Sequence, residues 1–136
     1  MVTALASLSL LSGPSMPAQA APAPPGAVYK TADNYCHYRN WAGTFYCGTG
    51  RIWTRLDTYP QVFVIGPNLK VYTRWSTATT LTAWSDALGG TCRPERGLVM
   101  VVLSDTTLQL QCVGSDGYWW YIYRGPTGGW TDWDRL

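Results

Sequence analysis

The sequence predicts an all-β fold: an incomplete β-propeller of two to three four-stranded antiparallel blades, stapled by disulfides. Three observations predict it. Residues 97–136 read as four short strands separated by turn clusters. A Trp-bearing ending recurs at Trp53, Trp84 and Trp133, spaced 31 and 49 residues apart, which averages to the length of one propeller blade. The region after the N-terminal segment is full of Thr, Gly, Tyr and Trp and has almost no stretch with helical apolar period.

Taken in order, Met1–Ala20 carries an apolar run (Val2–Leu11), then Gly13-Pro14 and the A-x-A pattern Ala18-Gln19-Ala20. That reads as a secretory signal peptide, although no basic residue precedes Lys30. Residues 21–28 are a Pro-rich linker with no means of forming a core. The repeat domain is expected over 29–136. Its first unit runs through Tyr35–Arg39, the turn Asn40-Trp41-Ala42-Gly43 and Thr44–Cys47 to the ending Arg51-Ile52-Trp53-Thr54-Arg55-Leu56. The second runs through Gln61–Ile65, the turn Gly66-Pro67-Asn68 and Lys70–Trp75 to Thr82-Ala83-Trp84-Ser85-Asp86-Ala87-Leu88-Gly89-Gly90. The last unit is complete: strands Leu98–Leu103, Thr107–Val113, Tyr118–Arg124 and Gly129–Leu136. Between them lie Ser104-Asp105, Ser115-Asp116-Gly117 and Gly125-Pro126-Thr127-Gly128, residue types that tolerate the positive φ of tight reversals. Leu98–Leu103 is apolar on both faces and is expected to be covered on both. In the next strand Leu108 and Leu110 alternate with Gln109 and Gln111, the pattern of a half-buried strand.

Four cysteines in an exported chain suggest two disulfides, for which three connectivities exist. Cys36 and Cys47 flank a predicted hairpin turn and are the first choice. Cys92 with Cys112 follows by elimination, although a hairpin reversing near Asp105-Thr106 would set Cys112 opposite Val99. Intervals of 10, 44 and 19 residues between cysteines lack the close pairing of a zinc site.

Eight Trp and nine Tyr stand against two Phe. Tyr and Trp join a large apolar face to a polar tip, which suits partly exposed surfaces and stacking on sugars. Net charge is only +2 and no basic cluster occurs, which argues against nucleic acid. After the leader, no stretch is long and apolar enough to span a membrane. Catalysis is not expected. The single histidine, His37, sits beside Cys36 in a predicted strand; G-x-S-x-G and H-E-x-x-H motifs are missing. Most of the eight carboxylates fall in turns, as Asp57, Asp86, Asp105 and Asp116 do. Asp132 and Asp134 flank Trp133 without any neighbour that would raise one of their pKa values. Neither a cofactor nor a metal is implied.

Gln61-Val62-Phe63-Val64-Ile65-Gly66, Tyr72-Thr73-Arg74-Trp75 and Trp84-Ser85-Asp86-Ala87-Leu88-Gly89-Gly90 together resemble one repeat of the bacterial PLL-like β-propeller lectins, the fucose/galactose-type family. Val99–Leu103, Leu108-Gln109-Leu110, Tyr121-Ile122-Tyr123 and Gly129-Trp130-Thr131-Asp132-Trp133 resemble a second. The resemblance covers about Gln61–Leu136. Gly66-Pro67-Asn68-Leu69 stands where those repeats carry an Asp-Gly turn, and Leu81-Thr82 replaces a Gly-Trp. The resemblance implies sugar binding in loops between blades.

An aromatic face for the apolar side of a pyranose and a donor fork for its hydroxyls or a carboxylate are what sugar recognition needs. The candidate ligand residues are therefore Arg74 with Trp75, Tyr123 with Arg124, Trp130, and Trp120. Trp119 and Trp120 point to opposite faces, so at most one is a ligand platform. Trp84 and Trp133, repeated at one blade position, read as packing residues. Three units cannot close a ring, so homo-oligomers are expected to complete the propeller. The expected function is a secreted, non-catalytic lectin-like protein binding glycans, cell-surface glycans among them. The alternative is a small secreted, disulfide-stapled β domain that binds a protein partner, as an inhibitor or a cell-envelope factor.

Overall fold

A computed structural model describes residues 20–136, so all of the predicted signal peptide except Ala20 lies outside the described residues. The chain forms three antiparallel sheets, each a meander in sequence order. The first holds β1 (Val28–Lys30), β2 (Tyr35–Tyr38) and β3 (Ala42–Tyr46). The second holds β4 (Arg51–Thr54), β5 (Pro60–Ile65) and β6 (Val71–Trp75). The third is β7 (Val99–Val102), β8 (Leu108–Val113), β9 (Trp119–Arg124) and β10 (Asp134–Arg135). Pro94–Arg96 forms a 3₁₀ turn, and no helix among the described residues is long and apolar enough to cross a membrane.

The sheets stack because the middle one is apolar on both faces. Pleating sends Val62 and Val64 of β5 one way, where they meet Cys36, Tyr38, Trp41 and Phe45 of the first sheet. Phe63 and Ile65 go the other way, onto Leu98, Leu108, Leu110 and Ile122 of the third. A strand buried on both sides loses the apolar–polar alternation, which is why Val62–Ile65 reads as a continuous apolar run. Both disulfides, Cys36–Cys47 and Cys92–Cys112, are formed. Cys112 pairs through its backbone with Trp120 and through its sulfur with Cys92, so the register that sets Gln111 against Val99 is no obstacle.

One hairpin turn is used four times, at Asp33-Asn34, Asp57-Thr58, Asn68-Leu69 and Asp116-Gly117. In each, the Asp or Asn side-chain oxygen accepts the amide two residues on, at 3.1, 3.0, 3.2 and 3.1 Å in that order. The following residue sits at φ 69°, 69°, 68° and 83°. Asn68-Leu69 thus makes the same turn as Asp116-Gly117 without a glycine. Leu69 accepts a left-handed conformation that costs a non-glycine residue about 1 kcal/mol. Leu81-Thr82 likewise does the work of Trp130-Thr131. Leu81 bridges Ser76 as Trp130 bridges Arg124. Thr82 and Thr131 each exchange backbone and hydroxyl bonds with the end of the preceding strand, Trp75 and Tyr123 respectively.

Four expectations need correction. The units are sheets of three, three and four strands, and they do not close into a ring. Trp53 does not end the first unit: it lies in β4, opposite Gln61, because β4 pairs with β5 rather than β3. Only Trp84 and Trp133 are equivalent; Ser85 pairs with Thr73 and Asp134 with Tyr121. The stretch from Leu98 is not covered on both faces. Leu98 is buried, but Val101, Val102 and Leu103 are 37%, 53% and 56% exposed, since β7 is an edge strand of the last sheet in the stack. The predicted strand Gly129–Leu136 shrinks to Asp134–Arg135 plus the Arg124–Trp130 bridge. The Pro-rich segment is also held: the carbonyl oxygens of Ala23 and Pro24 accept the Trp41 indole N–H at 2.8 Å and an Asn40 amide N–H at 3.2 Å.

Candidate functional site

Strand pleating separates the residue pairs that the sequence sets side by side. In β6, Val71, Thr73 and Trp75 face the third sheet, whereas Tyr72 and Arg74 face the first. Arg74 therefore lies at the first junction. Its Nε donates to the Thr82 carbonyl at 2.6 Å, its Nη1 donates to the Trp41 carbonyl, and its guanidinium lies over Trp84. Burial pulls its pKa below the ordinary value. In β9, Trp120, Ile122 and Arg124 face the second sheet while Tyr121 and Tyr123 face outward with Gln109 and Gln111. Tyr123 and Arg124 so lie on opposite faces.

Three of the predicted residues do converge. Trp75, Arg124 and Trp130 line a cleft of about 290 Å³ between the second and third sheets, joined by Arg55, Gln61 and Thr73. Gln61 Nε2 donates to Thr73 Oγ1 at 2.9 Å, and that hydroxyl donates to the Val62 carbonyl at 2.9 Å. Trp130 stands edge-on to Phe63, with ring centroids 5.7 Å apart.

Trp120 lies at the opposite end of the same junction, beside the turn that carries Asp116. There Gly90, Cys112, Ser115, Asp116, Trp120 and Trp133 enclose about 240 Å³. The first junction repeats the arrangement. Gly43, Val64, Pro67, Asn68, Tyr72 and Trp84, in corresponding order, enclose about 370 Å³. Each pocket has two aromatic walls and one polar turn side chain bonded to the aromatic four residues on. Asn68 Nδ2 donates to Tyr72 Oη at 2.8 Å, and Trp120 Nε1 donates to the Asp116 carboxylate at 3.0 and 3.1 Å. That indole bond, followed by the Tyr118 amide, holds the Asp116 carboxyl below the ordinary range, with Arg135 adding to the effect. Asp116 is fully exposed at the rim, a charged acceptor beside an aromatic wall.

The glycines at the back of the pockets are there because a side chain would collide with the indole. A Cβ on Gly43 would come within 2.6 Å of the Trp84 ring, and one on Gly90 within 2.8 Å of Trp133. Both glycines have positive φ, at 86° and 74°. The pockets differ at one atom. Trp133 Nε1 donates to the Leu88 and Gly89 carbonyls at 2.9 and 3.1 Å, whereas the buried Trp84 Nε1 has no partner.

Sequence reasoning missed Tyr72, Asn68 and Asp116 as pocket residues and read Trp84 and Trp133 as packing alone. The two tryptophans do pack against the cores, and they also wall the pockets. The signal that could have found the pockets is the spacing Asn68–Tyr72 and Asp116–Trp120, which puts an Asx turn and an aromatic on one hairpin end. His37 is spent on structure: Nδ1 donates to the Gly43 carbonyl at 2.6 Å, Nε2 meets Thr31 Oγ1 at 3.0 Å, and the ring stacks on Tyr29. Among the described residues, no cluster of His, Cys, Asp or Glu could hold a metal ion. No protein-family model matches the chain, and no curated protein matches it.

Proposed function

We propose that the protein is a secreted, non-catalytic, lectin-like carbohydrate-binding protein whose sugars sit in the paired pockets between consecutive sheets. The observation that carries this reading is repetition. Two junctions built from different residues present the same constellation: an aromatic pair, a turn amide or carboxylate, and a glycine that leaves room for the indole. Packing two sheets does not require such a constellation at a solvent-facing rim. Stacking on the apolar face of a pyranose does, and a turn oxygen beside the ring can accept its hydroxyls. Two disulfides fit an oxidising compartment outside the cytosol.

The propeller-like reading rests on the stacking order. On the second sheet the face bearing Phe63 and Ile65 is covered by the third sheet; the matching face of the third bears Val99, Val101, Gln109, Gln111, Tyr121 and Tyr123 and has no cover among the described residues. A further copy of the chain seated there would continue the stack and multiply the sugar sites, turning weak single-site binding into avidity. The same open face is the observation that favours the second reading, a β domain docking on a protein partner.

A glycan array probed with the wild-type chain and with Trp133→Ala and Asp116→Ala tests the proposal. Glycan binding that falls in both variants supports it. Absence of binding to every glycan, with a protein captured from culture supernatant, moves the assignment to the second reading. Sedimentation that shows a monomer at high concentration removes the self-association.

A further inference from the structure

The cleft that gathers Trp75, Arg124 and Trp130 departs from the repeat, and the departure is chemical. By the bridge that places Leu81 and Trp130 alike, the first-junction counterpart of Arg124 is Ser76 and that of Trp130 is Leu81. Stacking the sheets therefore needs neither the guanidinium nor the indole at this position. The third sheet nevertheless supplies both, facing a second arginine. Arg55 is already neutralised: it grips Asp57 at 3.2 and 2.7 Å and donates to the Ser76 carbonyl at 2.6 Å. Among the described residues no carboxylate forms a salt bridge with Arg124. Its Nη1 donates to the Thr106 carbonyl at 2.6 Å, its guanidinium lies 5.0 Å from the Trp53 ring centroid, and its Nε and Nη2 make no other hydrogen bond among the described residues.

The residues lining the inner cleft include both arginines and no acid, while Asp57 and Asp105 line the adjoining outer groove. Burial, and then the charge of Arg55, pull the Arg124 pKa below its ordinary value, with Asp57 opposing. The guanidinium stays charged regardless, so a partly desolvated cation that an anion would relieve stands at the border between the outer groove and the cleft. Its walls are not those of a bare anion site. Trp75 and Trp130 offer aromatic surface, and Gln61 with Thr73 forms a polar floor. A volume of about 290 Å³ suits one sugar ring.

We propose that this cleft is a second sugar site, at the opposite end of the sheets from the paired pockets, and that it takes an acidic sugar. The carboxylate of a hexuronic acid lies on the free edge of the Arg124 guanidinium and the ring lies between Trp75 and Trp130. The proposal shares with the preceding one only the premise that the ligand is a sugar. The two sites have no residue in common.

The test is a heteronuclear NMR titration of the full chain with glucuronate, glucose and acetate, following the indole N–H signals and the Arg124 side chain. Glucuronate is expected to saturate shifts at Trp75, Trp130 and Arg124, with glucose and acetate far weaker. Arg124→Gln should weaken binding about tenfold or more, the effect of losing a charge-assisted hydrogen bond. Trp75→Leu, which leaves the guanidinium contacts intact, should weaken it too, whereas Trp119→Leu, on the outward face of β9 and in neither site, should leave it unchanged. Acetate acting as strongly as glucuronate overturns the proposal, because the tryptophans then contribute nothing. So does glucose acting as strongly, or glucuronate shifting only Trp120 and Trp133. Glucuronate binding lost in Arg124→Gln with array glycans still bound would separate this site from the paired pockets.

Discussion

Trp84 and Trp133 permit an internally controlled measurement, since they occupy equivalent places and differ in the fate of one N–H. Replacing either by Phe removes the same ring volume from the same kind of junction, so the cavity cost largely cancels between the two variants. What remains is the indole nitrogen, together with the Arg74 guanidinium over Trp84, a contact that a phenyl ring keeps in weaker form. In Trp133→Phe the bonds to the Leu88 and Gly89 carbonyls are lost, a net cost of about 0.5–1.5 kcal/mol. In Trp84→Phe a buried donor without a partner is removed, which relieves a penalty of about 1–3 kcal/mol. Trp133→Phe should therefore be the more destabilising of the two by about 2–4 kcal/mol. Urea unfolding followed by far-ultraviolet circular dichroism, disulfides intact, reads this difference as a midpoint separation of about 1 M or more at unchanged slope. Equal midpoints, or a lower midpoint for Trp84→Phe, would refute the reasoning, because the Trp84 N–H would then have to be bonded in solution.

Removing Cys92–Cys112 by a double Ala substitution frees a loop of sequence separation 20 and should cost about 3 kcal/mol in the same unfolding assay. Gly43→Ala combines a left-handed φ with a Cβ driven into Trp84; a loss of about 2 kcal/mol or more is expected, with reduced glycan binding at the first pocket. Asp116, held below its ordinary pKa of 3.8 by the Trp120 indole and the Tyr118 amide, contributes stability that is complete above that value and is lost as pH falls through the lowered one. Asp116→Asn should accordingly flatten the acid side of the stability–pH profile below about pH 4, where unfolding midpoints at pH 3 and 7 give the readout.

Much of the architecture was legible along the chain. The break points of the hairpins were visible as Asp, Asn and Gly clusters, because an Asx side chain capping its own turn is a local interaction. Cys36 and Cys47 could be paired because a hairpin brings them together over a short loop. Alternation in β8 told which face was buried, since Gln109 and Gln111 point away from Leu108 and Leu110. The site was legible only in part. Trp75, Arg124 and Trp130 meet as candidates for one surface, but Arg74 and Tyr123, each adjacent in sequence to one of them, face elsewhere. A strand turns every second side chain to the opposite side, so adjacency in sequence means separation in space.

By itself the sequence determined the all-β character, the turns and the aromatic surplus, and made Cys36–Cys47 the first choice of pairing without fixing it; all of these follow from local conformational preference or composition. Only the tertiary structure decided that β4 pairs with β5 rather than β3, so that Trp53 joins the second sheet. It also decided that Cys92 reaches Cys112, and that Asn68 with Tyr72 and Asp116 with Trp120 form matching pockets against Trp84 and Trp133. Those outcomes depend on which faces stack. Stacking is chosen by the apolar area that whole sheets bury against one another, a quantity no local window of residues contains.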